Sequence, residues 1–267
     1  MAERWWIDEE HRAALTSRAP LDVAAWMQPG AERHVLSSDR QSAAVLWSGD
    51  VPLLVKWRVP IAGRKGKTWL RASRERAEAD AMRAARDHGI PCPQAWAVGE
   101  RRQLGVLVGA VFIRAFDAQA QTAAEASATD PQVAVDMALA LRRWHDAGFR
   151  HGDCYPKNVL LGGAAGEPRP IGCPKGRFVA PGPSLDDARL KDLAQWAVGS
   201  ANAAALGDPF AFLTFYGEAE GLPDYEALVE AVLPLYEKIM TRKAERVRTR
   251  PLREPEGPPA PQPLPPA

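Results

Sequence analysis

The sequence predicts an α+β fold in which a strand-rich N-terminal half precedes a mainly helical C-terminal half. Short apolar runs separated by polar turns recur at residues 33–36, 43–47, 53–57, 94–98 and 105–113, the rhythm of an antiparallel sheet. Beyond residue 117, apolar residues recur at helical spacing, in Val133, Met137, Ala140, Leu141 and Trp144, and again in Tyr225, Leu228, Val229, Val232, Leu235, Tyr236 and Ile239. Between these stripes lies the polar stretch His151-Gly152-Asp153-Cys154-Tyr155-Pro156-Lys157-Asn158, bounded by a helix pattern ending near Ala147 and by Val159-Leu160-Leu161. It reads as a loop held by two regular elements.

Composition narrows the class. The chain has 267 residues, enough for one large or two modest domains. Its 46% hydrophobic and 25% charged content is that of an ordinary soluble protein. A net charge of +1 argues against nucleic acid as a partner, because phosphate-reading proteins carry a clear basic excess. The first residues lack a signal-peptide apolar core and no window is long enough to span a membrane, so a cytoplasmic location is expected. Cys92, Cys154 and Cys173 show neither disulfide-framework nor zinc-ligand spacing and read as reduced thiols.

Taken in order, residues 8–17 have helix-forming composition, with Trp5, Trp6 and Trp26 as packing anchors of an N-terminal extension over 1–32. Three strands follow, Arg33 to Leu36, Ala43 to Trp47 and Leu53 to Trp57. The first turn, Ser37-Ser38-Asp39-Arg40-Gln41-Ser42, contains no glycine. Its serines, Ser38 in particular, are candidates to donate hydrogen bonds to phosphate; a polar hairpin loop without a ligand is the alternative.

Lys56 sits between Val55 and Trp57 in an apolar strand, where an ammonium group is costly unless it meets an anion. A charged helix pattern over Ser73 to Asp87, ended by Gly89 and Pro91, offers Glu78 as that partner, with Glu75 one turn earlier as the alternative. The cations Arg64, Lys65, Lys67, Arg71 and Arg74 form a basic run, either solvated or facing an anionic substrate. Two further strands are expected at Gln94 to Val98 and Gly105 to Ile113, with a turn at Glu100-Arg101-Arg102, before an alanine-rich helical region.

His-x-Asp followed by four residues and then an Asn is the spacing of the catalytic loop in protein-kinase-like phosphotransferases. There the Asp takes the proton of the attacking hydroxyl and the Asn turns back toward a metal on the nucleotide phosphates. An Asp and an Asn in a loop also make turns, their commonest task.

Lys56, Glu78, Gly89-Ile90-Pro91-Cys92-Pro93, the run Leu141 to Arg150 and His151-Gly152-Asp153 occur in an order that resembles the lipopolysaccharide core kinases. These bacterial enzymes phosphorylate heptose or the eight-carbon keto-sugar acid of the inner core. The resemblance continues in Arg189-Leu190-Lys191-Asp192-Leu193-Ala194 and in Phe212 to Tyr216. It implies a protein-kinase-like two-lobed fold, with an N-lobe and hinge over 33–116 and a C-lobe over 117–250. It also implies ATP and magnesium as cofactors, and a lipopolysaccharide inner-core sugar or similar sugar as acceptor. By residue it implies Asp153 as catalytic base with His151 and Asn158 beside it, and Asn158 as metal ligand. Lys56, Glu78 and Ser38, with the strand end at Ile113 and Ala115, would contact the nucleotide in a cleft between the lobes.

One position departs from the pattern. Val159 to Leu161 and Arg169 to Ile171 read as the strand pair after the loop, which puts Gly172 where such kinases carry a magnesium-chelating Asp. Asp186 and Asp187 would reach the site only if the intervening segment folds back. The sequence thus supports a phosphotransferase, a pseudokinase that binds nucleotide or a partner without catalysis, or a small-molecule kinase of the aminoglycoside or choline type.

Near the C-terminus, Lys238, Arg242, Lys243, Arg246, Arg248 and Arg250 suit either a solvated helix end or peripheral docking on the anionic inner face of a membrane. The proline-dominated segment 251–267 is expected to be a disordered tail.

Overall fold

A computed structural model describes residues 1–28, 33–38, 42–60, 68–69, 71–127, 130–163, 166–182, 185–200, 208–218 and 223–249. Within these, one compact unit comprises residues 1–83 and 93–117, and a second comprises 84–92 and 118–249. Outside the described residues fall the side chain of Ser38, the cations Arg64, Lys65, Lys67 and Arg250, and the segment 251–267.

The first unit is built on a six-stranded antiparallel sheet. Its strands are β1 (Ala2–Ile7), β2 (Arg33–Ser38), β3 (Ser42–Trp47), β4 (Leu53–Arg58), β5 (Ala95–Gln103) and β6 (Val106–Ala115), in the order β1-β5-β6-β4-β3-β2. β4 shows how the strand period sorts the chemistry. Leu53, Val55 and Trp57 join the core cluster with Leu15, Val23, Trp26 and Met27. These come from the short helices α1 (Arg12–Thr16) and α2 (Val23–Met27). The intervening Lys56 and Arg58 meet instead the carboxylates of α3 (Arg74–Asp87).

Trp26 is wholly buried, stacked edge-on to Trp47 with centroids 4.8 Å apart, and its Nε1 donates to the Pro20 carbonyl at 2.9 Å. Removing roughly 200 Å² of indole from water is worth about 5 kcal/mol before entropy is counted. The N-terminal residues are therefore part of this unit's core.

The turn expected at Glu100-Arg101-Arg102 is not there; those residues continue β5, and the chain reverses at Leu104-Gly105. Glu100 is tolerated inside the strand because its carboxylate is fully used. One oxygen accepts from the Ser73 amide at 2.7 Å, and the other from Arg102 at 2.7 Å. Leu104 takes the left-handed conformation, φ 48°, that turn chemistry normally assigns to Gly or Asn, which is why composition did not mark it.

In the second unit, β7 (Ala120–Thr122) precedes α4 (Ala123–Ala126), which opens with a reciprocal cap between Thr122 and Glu125. α5 (Gln132–Asp146) buries the expected stripe of Val133, Met137, Ala140, Leu141 and Trp144. β8 (Phe149–Arg150) pairs with β11 (Arg177–Phe178), while β9 (Val159–Gly162) lies between β7 and β10 (Arg169–Pro170). The helices α6 (Asp187–Ser200), α7 (Phe212–Gly217) and α8 (Tyr225–Thr249) complete the unit, with α8 packed along α6. No described helix is long and apolar enough to cross a membrane.

Candidate active site

In the first unit, Lys56 Nζ lies 2.7 Å from Glu78 Oε1. Glu75, the alternative partner, is engaged 3.1 Å from Arg58 Nε. The period-2 strand and the helix turn thus produce two parallel ion pairs. Burial raises the Glu75 carboxyl above its ordinary range, only partly countered by Arg58. Ile113 is wholly buried in the core cluster, in a strand paired on both sides, opposite Val55 and Ala97. Ala115 is half-buried at the strand end, and its carbonyl accepts from Arg114 at 2.8 Å.

In the second unit, the loop from His151 to Asn158 is clamped from below by α6. Asp192, with no exposed surface, accepts the His151 amide at 2.6 Å on one oxygen and the Gly152 amide at 2.8 Å on the other. Gln195, one helical turn on, accepts the Cys154 amide at 2.8 Å, and Lys191 donates to the Gly152 carbonyl at 3.3 Å. Spacings of one and three to four residues put all three side chains along the helix edge that faces the loop.

The loop also holds itself. Asn158 Nδ2 donates to the Asp153 carbonyl at 2.8 Å and to Asp153 Oδ2 at 3.3 Å. His151 Nδ1 accepts the Asp153 amide at 3.3 Å, leaving Nε2 to donate to the Asn158 carbonyl at 3.3 Å. His151 therefore spends both ring nitrogens on the backbone of the loop.

Gly152 has φ 74°, and a Cβ there would lie 2.8 Å from that of Lys175, so the residue between His and Asp can only be glycine in this packing.

Gly172 stands beside Asn158. Its φ is 62°, and a Cβ built on it would fall 2.8 Å from Asn158 Oδ1. Since Asn158 Nδ2 is turned to Asp153, the amide oxygen faces the position of the missing carboxylate. Asp186 does not substitute for it. Its oxygens take Arg150 at 2.8 and 3.0 Å and cap α6 through the amides of Ala188 and Arg189. Burial alone would raise the Asp186 carboxyl, but Arg150 and those amides outweigh it and hold it below its usual value. Gly172 offers no carboxylate beside Asn158 and Asp186 is taken up by Arg150 and the α6 amides, so the Asn and Asp pair expected to hold magnesium is not present at those positions.

Behind Asp192 runs a buried polar relay that the sequence did not disclose. Arg189, wholly buried, pairs with Asp146 at 2.8 Å and donates to the Tyr216 hydroxyl. The Tyr216 hydroxyl lies 2.8 Å from His145 Nδ1, and the tautomer that turns the ring N–H toward Asp192 has Tyr216 donate there. His145 Nε2, left protonated, faces Asp192 at 3.5 Å without a true hydrogen bond. Burial pushes His145 below its ordinary value of 6.5 and Tyr216 up to about 12, so both are neutral at pH 7.

With this geometry in place, the chain can be compared with known proteins. Residues 65–169 match the sequence model of the lipopolysaccharide kinase (Kdo/WaaP) family. The matched segment includes Glu78 and the whole His151–Asn158 loop, and stops just before Gly172. Among curated protein sequences, none matches the chain. Among solved structures, WaaP in complex with acyl carrier protein shares the fold with a TM-score of 0.58 at 18% identity, over 91% of this chain and 99% of that one. A glucosamine kinase bound to glucosamine, ADP and inorganic phosphate superposes at 0.42 with 14% identity, over 79% of this chain and 68% of that one. A Mycobacterium tuberculosis PknI kinase domain superposes at 0.43 with 17% identity, over 80% and 96%. Residues 65–169 are thus similar to the lipopolysaccharide kinase (Kdo/WaaP) family, and the chain shares an α+β fold with WaaP along most of its length.

Proposed function

We propose that the chain is an ATP-dependent phosphotransferase of the lipopolysaccharide core sugar kinase type. The observation that supports this best is the loop geometry: Asp153 is oriented by Asn158, and its neighbours are fixed by Asp192 and Gln195. Asp153 takes the proton of the attacking sugar hydroxyl, and the hydroxyl oxygen bonds to the terminal phosphorus as ADP leaves. Lys56, oriented by Glu78, is the proposed phosphate contact, with Ser38 and the backbone of Ile113 and Ala115 as further nucleotide contacts. His151 positions the loop. The exposed cations Lys238, Arg242, Lys243, Arg246 and Arg248 of α8 would favour an anionic membrane surface by about 1 kcal/mol each at contact. Vesicle co-sedimentation no stronger for anionic than for neutral lipid would refute that part.

Gly172 favours a second reading, a pseudokinase that binds nucleotide without transfer, because it brings no carboxylate to the place beside Asn158 where such kinases carry a magnesium-chelating Asp. ATP turnover decides between them, measured with a lipopolysaccharide core acceptor and an aminoglycoside for the wild type, Asp153→Asn and Gly172→Asp. Wild-type transfer to the core sugar, abolished in Asp153→Asn, supports the enzyme. No wild-type turnover with a gain in Gly172→Asp supports the pseudokinase. Transfer to the aminoglycoside alone supports the small-molecule kinase reading.

A further inference from the structure

The first unit contains a second concavity, unrelated to Lys56. It is a hollow of about 640 Å³ bordered by β1, the start of α3 and the β5–β6 turn. That volume lies within the range of small-molecule sites. Its floor is the Trp6 indole with the Arg76 guanidinium laid over it, 4.1 Å from the ring centroid.

The charges around it do not cancel. Arg102 is matched by Glu100 at 2.7 Å. Asp80 is divided between Arg76 Nε at 2.8 Å and Arg83 at 3.5 Å. One terminal nitrogen of Arg76 is buried with no hydrogen-bond partner, which leaves a charged donor unused at this wall of the hollow. Arg4, on β1, adds an exposed cation on the same side.

The rim gives an independent indication. Leu104 is 92% exposed and holds a left-handed backbone, φ 48°, on a turn where Asn would be both better solvated and less strained. An exposed leucine kept in a strained conformation at the mouth of a cationic hollow supplies apolar contact to whatever enters.

We propose that this hollow binds a small amphipathic anion, a carboxylate or phosphate joined to an aliphatic or aromatic group. The anion pairs with Arg76 and Arg4, and the apolar part lies between Trp6 and Leu104.

The full chain, labelled with 5-fluorotryptophan, tests this by fluorine NMR, with the Trp6 resonance assigned through Trp6→Phe. The probes are hexanoate and phenyl phosphate, with hexanol and inorganic phosphate as controls for the apolar and anionic parts alone. Hexanoate and phenyl phosphate are expected to shift the Trp6 signal saturably with millimolar or tighter dissociation constants, and the controls to bind more weakly. Arg4→Ala and Arg76→Gln should each weaken binding about five- to tenfold. Leu104→Asn should raise the melting temperature by relieving the turn while weakening both amphipathic probes; a turn residue with no contact role would do only the former. No saturable shift, equal binding of hexanol and hexanoate, or unchanged affinity in Leu104→Asn would each overturn the proposal.

Discussion

Replacing Gly199 by Ala sets helix propensity against packing. On propensity alone, Gly→Ala inside a helix gains up to about 1 kcal/mol. Gly199 lies in the last turn of α6, however, and a Cβ there would fall 2.1 Å from Cδ and 2.8 Å from Cγ of Pro156, in the middle of the His151–Asn158 loop. Ordinary contact begins at 3.4 Å, so the overlap with Cδ is about 1.3 Å. The proline ring is closed on its own backbone and cannot swing aside, so either the loop or the helix end must move by about an ångström. Overpacking of this kind costs about 1–3 kcal/mol, which outweighs the propensity gain. The melting temperature should fall by about 2–4 °C for each kcal/mol of net loss. Any phosphate transfer should drop much further, by about a hundredfold, because an ångström at Pro156 moves Asp153 and Asn158. Thermal unfolding and turnover are the assays, with Pro156→Ala added to Gly199→Ala as the relief variant, which should recover part of the lost stability. A Gly199→Ala protein that melts higher than wild type and keeps its turnover would refute the close approach of α6 to the loop.

Two further predictions concern charge. Lys56→Met should weaken ATP binding at least about tenfold by calorimetry, while Arg58→Met, which strips the parallel pair from Glu75, should lower stability and leave ATP affinity near wild type; equal losses in both variants would remove the special role of Lys56. The second follows from His145, whose buried imidazole titrates below its ordinary 6.5. Between 6.5 and that depressed value the unfolded chain binds the proton and the folded chain does not, so stability must fall as pH drops through this window. Denaturant unfolding from about pH 7 to about pH 5 should show that slope in wild type and a shallower one in His145→Gln, and parallel curves would count against a neutral buried His145.

The parts of the site that the sequence disclosed are those whose side chains break a local rule. A lysine inside an apolar strand demands an anion, and the helix period left only Glu78 or Glu75 to supply it. His151 to Asn158 stood out because so polar a stretch between two apolar elements must be a loop with its own hydrogen bonds. What stayed hidden obeys no local rule. Asp192 stood in a stretch that carried the family resemblance, but its hold on the loop amides, like that of Gln195, exists only once the fold sets the loop against α6, and the relay from Arg189 through Tyr216 to His145 joins residues more than 70 positions apart. Leu104 was passed over because a leucine does not announce a left-handed turn. β7 was lost in an alanine-rich stretch whose composition favours helix, although pairing to β9 decides its conformation.

The position of β1 also governs the order in which this chain can fold as it is made. Ala2 pairs with Arg102 and Ile7 with Ala97, so β1 finds its place only once the chain has been made through β5, about a hundred residues later. Until then Trp5, Trp6 and Ile7 are an exposed apolar segment beside an unpaired edge, the kind of surface on which nascent chains associate. Closing so long a loop is slow but adds little to its entropic cost beyond that of a shorter one, since the penalty grows only with the logarithm of length. The delay therefore falls on folding rate and on the need for protection during synthesis, and hardly at all on the stability of the finished sheet.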